Sequence, residues 1–134
     1  INSTLSTLCI GSQDFGDVGV SNLAAGLEAS KSLTQLDLEW KGISSEGARA
    51  LEGALRSSPQ LKILKLARNQ LGDEGVLTLV TAVKQHSGGS PLAELDVAEN
   101  AIGPAGARHL SDLLQAPACR LQRLRLAGND LIGA

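Results

Sequence analysis

The repeating unit of this protein is clearest in the segment Leu61-Lys62-Ile63-Leu64-Lys65-Leu66-Ala67-Arg68-Asn69-Gln70-Leu71-Gly72-Asp73-Glu74-Gly75. Its first half has the pattern Leu-x-x-Leu-x-Leu, which ends in alternating apolar and polar residues and is typical of a short strand with one buried face. In its second half, apolar residues follow Gly75 at the fourth and eighth positions, the spacing of a helix with one buried stripe. The segment therefore predicts a strand, a turn and a helix.

This pattern recurs at intervals of about 28 to 31 residues. The copies begin near Leu5, Leu33, Leu61, Leu92 and Leu121. The glycine of the pattern stands at Gly19, Gly47, Gly75 and Gly106. One unit cannot bury its own apolar face, so successive units must stack. Because strands pack about 4.8 Å apart and helices about 8–10 Å apart, the stack must curve, with parallel strands on the concave face and helices on the convex face.

The composition excludes several classes of protein. The chain has 134 residues, a formal net charge of −2 and 43% hydrophobic residues, but only 1% aromatic residues. The core must therefore be aliphatic, and the near-neutral charge argues against a nucleic-acid partner. No apolar run approaches the roughly 20 residues that span a bilayer. Two cysteines cannot build a disulfide scaffold, which favours a cytoplasmic setting.

The full pattern Leu-x-x-Leu-x-Leu-x-x-Asn-x-Leu resembles the leucine-rich repeat family. The repeat length and the helix in every unit are similar to the ribonuclease-inhibitor-like subfamily. The resemblance implies an α/β solenoid, a horseshoe segment, formed by a single domain over residues 1–134 with about four and a half repeats. The sequence starts near a strand and ends without a helix in its fifth unit. We therefore expect a piece of a longer array.

In that family, an asparagine after each strand bonds backbone groups of neighbouring turns and forms a ladder. Asn69, Asn100 and Asn129 match this pattern, whereas Gln13 and Lys41 depart from it. An ammonium cannot accept a hydrogen bond, and its charge is costly to bury. We expect Lys41 to extend outward and the ladder to be interrupted there; the alternative is that the turn simply adapts.

No group of residues in the sequence supports catalysis, a cofactor or a metal site. The triplet Asp14-Phe15-Gly16 resembles a kinase motif, but Phe15 occupies an apolar column of the repeat. His86 and His109 lack partners at metal-ligand spacing. We therefore expect a protein that is not an enzyme and that takes no cofactor and no small-molecule substrate. The insertion at residues 85–91 predicts a longer surface loop, with a hinge as the alternative.

Residues between the buried leucines of each strand are expected to align in columns on the concave face. The central column reads Cys9, Asp37, Lys65, Asp96 and Arg125. A second column reads Thr7, Gln35, Ile63, Glu94 and Arg123. Two further columns read Gly11, Glu39, Ala67, Ala98, Ala127 and Ser12, Trp40, Arg68, Glu99, Gly128. One interpretation of the alternating charges in the central column is that they pair across strands and keep the sheet soluble.

The other interpretation is that these side chains bind a partner. Trp40 falls outside every apolar column, so it should be at least partly exposed beside Glu39 and Arg68. Tryptophan and arginine dominate interaction hot spots. The alternative is that Trp40 folds over the turn and covers its neighbours. The predicted partner-binding residues are Asp37, Glu39, Trp40, Lys65, Arg68, Asp96, Glu99, Arg123 and Arg125.

These observations favour a non-catalytic scaffold that binds a protein partner of mixed charge on its concave face. The resemblance leaves two alternatives. One is a ligand-sensing repeat segment of a nucleotide-binding innate immune receptor, which requires a nucleotide-binding domain upstream. The other is regulation of a GTPase, because Ran GTPase-activating proteins look like this subfamily. No residue motif in this sequence supports the second alternative.

Overall fold

The computed structural model describes residues 4–10 and 15–131. The strands are β1 Thr7–Cys9, β2 Gln35–Asp37, β3 Ile63–Lys65, β4 Glu94–Asp96 and β5 Arg123–Arg125. The helices are α1 Gly16–Ala29, α2 Ser45–Ser57, α3 Gly72–Lys84 and α4 Pro104–Gln115. The expected alternation of strand and helix is confirmed. The ladder position Gln13, the column positions Gly11 and Ser12, and Asp14 lie outside the described residues.

The strands form one parallel sheet in the order β1-β2-β3-β4-β5. Its register places Leu8, Leu36, Leu64, Leu95 and Leu124 side by side in adjacent strands. Leu36, Leu64 and Leu95 are almost fully buried. Because each fully buried leucine contributes roughly 1.5–3 kcal/mol, this row of leucines binds neighbouring repeats together. The predicted register of the strands is confirmed.

The core lies between the sheet and the layer of helices, and it is aliphatic, as the composition predicts. The residues that directly follow the strands form a second buried row, which consists of Leu38, Leu66 and Val97. The turns that follow contribute Ile43, Leu71 and Ile102. The helices face this row with Leu51, Leu79 and Leu110. Helix–helix contact is made between consecutive repeats, α1 with α2, α2 with α3 and α3 with α4.

The turns that lead into the helices are of two alternating kinds. Helices α1 and α3 follow the helical residues Phe15 and Leu71, whereas α2 and α4 follow the extended residues Ser44 and Gly103. The second kind receives a cap from the preceding repeat. The side chain of Asp17 accepts hydrogen bonds from the backbone N–H of Ser44 at 2.8 Å and from its hydroxyl at 2.5 Å.

Asp73 caps α4 in the corresponding way. Its Oδ1 accepts hydrogen bonds from the backbone N–H groups of Gly103 at 2.7 Å and Gly106 at 2.9 Å. A Cβ atom at Gly106 would lie 2.6 Å from this oxygen, which explains the glycine at this position. The carboxylate of one repeat therefore holds the first turn of the helix in the next repeat.

The insertion at residues 85–91 is attached to the preceding repeat. His86 Nε2 lies 2.7 Å from the carbonyl oxygen of Ser58, which ends α2. Ser90 is buried, and its hydroxyl accepts the backbone N–H of Leu92 at 3.2 Å. These contacts favour the interpretation of the insertion as an anchored surface loop over that of a hinge.

Candidate functional site

The strands place the predicted columns on the concave face. The central column Cys9, Asp37, Lys65, Asp96, Arg125 is in register across all five strands. The second column Thr7, Gln35, Ile63, Glu94, Arg123 is in register beside it. Side chains at these positions alternate with the buried leucines and are therefore presented on the surface of the sheet.

The charges of the central column do not pair with one another. Among the described residues, no carboxylate oxygen of Asp37 or Asp96 lies within 4.0 Å of the Lys65 ammonium. Instead, Asp37 Oδ1 accepts the backbone N–H of Glu39 and Asp96 Oδ1 accepts that of Ala98, each at 3.1 Å. A short aspartate side chain at a strand end bonds the backbone two residues ahead, as in an Asx turn. The expectation of cross-strand pairing is wrong for this column.

Ion pairs form elsewhere on the face. Glu94 Oε1 lies 3.1 Å from Arg123 Nη1 and 3.8 Å from Arg125 Nε, so two arginines share one carboxylate. Arg68 Nε lies 3.4 Å from Glu99 Oε2, and both of these side chains are more than half exposed. Exposed pairs of this kind contribute about 0–1 kcal/mol, so they arrange charges more than they stabilise the fold.

A row of large side chains stands at the end of the strands, where each repeat turns toward its helix. Trp40, Arg68 and Glu99 have φ angles of 54°, 59° and 53°, and Gly128 follows at 76°. We call Trp40, Arg68 and Glu99 the rim row. Their backbone N–H groups donate to carbonyl oxygens of the next repeat at 2.8–2.9 Å, which fixes this conformation. Left-handed backbone costs a non-glycine residue roughly 1–2 kcal/mol.

The pattern of apolar residues did not predict the left-handed turn. Its signal in the sequence is Gly128, the glycine that occupies the rim-row position of the fifth repeat. A Cβ atom at this position would lie 2.5 Å from Glu99 Cγ, so the side chain of Glu99 would have to shift. Trp40 is 54% exposed, in agreement with its position outside the apolar columns.

A cleft of about 580 Å³ opens beside Trp40. Its lining residues are Cys9, Ile10, Asp37, Glu39, Trp40, Lys41, Ala67, Arg68 and Glu99. The small side chain of Ala67 leaves room between the larger ones. Five of the predicted partner-binding residues thus meet in one cleft. Lys65, Asp96, Arg123 and Arg125 lie elsewhere on the same concave face.

Glu39 carries the perturbed carboxyl group of the cleft. Burial is the largest cause that raises its pKa above 4.5, followed by the negative charges of Asp37 and Asp96. The positive charges of Lys65 and Arg68 lower the pKa and offset part of this effect. The ionised form of Glu39 is therefore held in surroundings that do not fully compensate its charge.

Lys41 corrects one expectation. Its side chain does not extend outward, since the residue is only 7% exposed. The ammonium donates to the carbonyl oxygen of Glu39 at 2.6 Å and lies 3.5 Å from that of Trp40. The carbonyl groups of the turn replace water around the charge, which makes burial tolerable. Lys41 takes the donor role of a ladder asparagine but offers no acceptor.

The asparagines that follow the next strands bond the backbone on both sides. Asn69 Oδ1 accepts the N–H groups of Lys41 and Ile43 at 2.9 and 3.0 Å. Its Nδ2 donates to the carbonyl oxygens of Leu38 and Leu66, each at 2.9 Å. Asn100 and Asn129 make equivalent bonds between their own neighbouring turns. These bonds hold the turns beneath the rim row at a fixed spacing.

The described part of the chain has no group of three or more His, Cys, Asp or Glu side chains arranged to hold a metal ion. None of the helices within residues 4–10 and 15–131 is both long and apolar enough to cross a membrane.

The model of the Leucine Rich repeat family matches residues 29–51, 57–80 and 90–111, which together make up about half of the chain. The protein belongs to the leucine-rich repeat family. Ribonuclease inhibitor from Sus scrofa is 32% identical to this leucine-rich repeat protein over 99% of the chain and 35% of its own length. NACHT, LRR and PYD domains-containing protein 13 from Homo sapiens is 32% identical over 97% of the chain and 12% of its own length.

Solved structures share the same leucine-rich repeat architecture. The actin-binding site 2 of leiomodin-1 superposes with a TM-score of 0.80 at 18% identity, over 90% of this chain and 69% of that one. The tropomodulin C-terminal domain of Caenorhabditis elegans superposes with a TM-score of 0.79 at 19% identity, over 94% of this chain and 75% of that one. The α/β leucine-rich repeat solenoid and the ribonuclease-inhibitor-like resemblance are confirmed.

Proposed function

We propose that this protein binds a protein partner on its concave face and does not catalyse a reaction. The rim row is the observation that carries the proposal. A turn that accepts glycine without strain, as at Gly128, instead holds Trp40, Arg68 and Glu99 in left-handed backbone. Strained residues concentrate at binding and catalytic sites, so large exposed side chains in such a row favour a binding role.

The contact residues proposed are Asp37, Glu39, Trp40, Lys65, Arg68, Asp96, Glu99, Arg123 and Arg125. Trp40 and Arg68 are the proposed anchors, because aromatic and arginine side chains supply most of the binding energy at interfaces. The asparagine ladder fixes the rim row before the partner arrives, which lowers the entropic cost of association. Since the face carries both signs of charge, the partner must also be of mixed charge.

The relatives support a partner that is itself a protein. One relative is named as an inhibitor of ribonuclease, and the structure of leiomodin-1 is described as an actin-binding site. The chain spans only about a third of the length of ribonuclease inhibitor, so the partner of this protein is not carried over from it.

The test begins with a pull-down that uses the complete parent chain, followed by titration of the purified captured protein. We expect the double substitution Trp40→Ala and Arg68→Ala to weaken affinity by about 2 kcal/mol or more. The matched control is Glu46→Ala with Arg49→Ala, which removes an exposed ion pair from helix α2. Affinity that stays unchanged in the Trp40 and Arg68 double variant would overturn the proposal.

A second candidate is a repeat segment within a NACHT-containing receptor. This candidate is supported by the similarity of the chain to several NACHT, LRR and PYD domains-containing proteins. The matched region makes up 8–13% of the length of each of these proteins. A nucleotide-binding domain in the full-length sequence would favour this candidate over a free-standing scaffold. The GTPase-regulator alternative stays a prediction that a single-turnover hydrolysis assay with the small GTPase Ran tests.

A further inference from the structure

We propose that the cleft beside Trp40 receives one lysine or arginine side chain of the protein partner. This inference rests on the proposed function and deepens it, because it assigns a charge and a side-chain class to the group that enters the cleft. It follows from which charges of the lining already have partners and which do not.

Both cations of the lining are occupied. Arg68 pairs with Glu99 at 3.4 Å. The ammonium of Lys41 is buried and bonds the carbonyl oxygens of Glu39 and Trp40. An anion that projects into the cleft would therefore have to compete with Glu99 for Arg68, and it would find the Lys41 ammonium already bonded to backbone carbonyl oxygens.

The remaining carboxylates of the lining lack such partners. In the part of the chain that the structure describes, no ion pair involves Asp37 or Glu39. Asp37 uses one oxygen to accept the backbone N–H of Glu39. Burial, and then the charges of Asp37 and Asp96, raise the pKa of Glu39 even though Lys65 and Arg68 lower it, which agrees with a negative charge that is only partly compensated. An incoming cation would gain charge-assisted hydrogen bonds to these oxygens.

The shape of the cleft fits a long cationic side chain. Trp40 provides an aromatic wall that is about half exposed, and Ala67 leaves space at the floor. A cation near an indole ring gains about 0.5–1 kcal/mol at exposed sites, and the methylene stem of lysine or arginine packs on apolar surface. An acidic side chain in the same place would meet Asp37 and Glu39 and be repelled.

The opposite end of the concave face has the reverse charge balance. There Arg123 and Arg125 share the single carboxylate of Glu94. A partner whose basic group enters the cleft would thus meet arginines at β5, which fixes the direction in which it lies across the strands.

Trp40 makes the test specific, because it is the only tryptophan and the chain has no tyrosine. Its fluorescence therefore reports directly on the cleft. The probes are a tetralysine peptide and a tetraglutamate peptide, neither of which contains an aromatic residue. We expect tetralysine to change the emission of Trp40 saturably and tetraglutamate to leave it unchanged.

Two variants connect the response to the carboxylates. Asp37→Asn with Glu39→Gln keeps the shape of both side chains, and we expect it to raise the half-saturating tetralysine concentration about tenfold. Glu74→Gln, on the exposed first turn of α3, makes the same chemical change outside the cleft and should leave the response as in the unmodified protein. Equal responses to both peptides, no response to tetralysine, or an unaltered response in the cleft variant would overturn the inference.

The two proposals fail in different ways. If Trp40→Ala with Arg68→Ala weakens partner binding but tetralysine leaves Trp40 emission unchanged, the proposal that a basic side chain enters the cleft is wrong. The proposal that the concave face binds the partner is then retained. If that double variant binds the partner with unchanged affinity, the binding surface itself is wrong.

Discussion

Asp73 caps a helix of the next repeat, with its Oδ1 2.9 Å from the backbone nitrogen of Gly106. The carboxylate and the helix lie in different repeats, so the cap connects the stability of one unit to that of its neighbour. Asp17 makes the corresponding connection to Ser44 at the start of α2. The helix caps therefore couple the repeats in pairs, in addition to the leucines that run through all of them.

Removal of the Asp73 cap is expected to destabilise the protein. Asp73→Ala leaves the N–H groups of Gly103 and Gly106 without their acceptor, at a cost of about 1–2 kcal/mol. The control is Asp112→Ala on an exposed position of α4, which we expect to change stability by less than about 0.5 kcal/mol. Urea unfolding measures both values. Equal stabilities of the two variants would mean that the cap contributes nothing.

Substitution of Lys41 by asparagine is expected to stabilise the fold. An amide both donates and accepts, whereas the buried ammonium only donates, so Lys41→Asn should raise the free energy of unfolding by about 1 kcal/mol. The reverse change, Asn69→Lys, removes the acceptor for the N–H groups of Lys41 and Ile43 and should cost about 2 kcal/mol or more. Chemical denaturation measures the free energy of unfolding of both variants and of the unmodified protein. A Lys41→Asn variant that is less stable than the unmodified protein would contradict the expected gain from the amide.

The left-handed backbone of the rim row is tested by paired substitutions at Arg68. Arg68→Gly and Arg68→Ala both remove the ion pair with Glu99, but only glycine relieves the strain at a φ of 59°. We expect the glycine variant to be more stable than the alanine variant by about 1 kcal/mol. At Arg49, within helix α2, we expect the opposite result: the Arg49→Ala variant should be more stable than the Arg49→Gly variant by about 1 kcal/mol. Thermal unfolding of the four variants decides the question.

The raised pKa of Glu39 predicts the pH dependence of stability. Folding raises this pKa above 4.5, so the folded protein binds the proton more tightly than the unfolded chain does. The contribution of Glu39 to stability is therefore fully present below pH 4.5, and it is lost as the pH rises through the pKa that Glu39 has in the folded protein. Glu39→Gln removes the ionisation, so we expect the variant to be the more stable one at neutral pH and to lose this advantage below pH 4.5. Denaturation curves at neutral pH and below pH 4.5 measure the difference in stability between the variant and the unmodified protein. A difference that does not change with pH would contradict its assignment to the ionisation of Glu39.

The sheet illustrates what could be predicted before the structure. Leu36, Leu64 and Leu95 recur at one position of a repeat that must stack, so their alignment follows from the pattern alone. The exposure of Trp40 follows in the same way, because it lies outside every apolar position. Lys41 could not be placed correctly, because its residue type argues for an outward ammonium. The carbonyl oxygen that binds it, 2.6 Å away, takes up its position only in the folded turn.

The sequence by itself determined the repeat, its strands and helices, the buried columns and the face that carries polar side chains. These features depend on the periodicity of apolar residues along the chain and on the stacking of neighbouring repeats that share the same pattern. The tertiary structure decided that Trp40, Arg68 and Glu99 share the left-handed backbone for which only Gly128 gives a sequence signal. It also decided the caps from Asp17 and Asp73 and the pairing of Arg68 with Glu99. Each of these depends on distances of a few ångströms between side chains and backbone in different repeats, which the spacing of residue types does not specify.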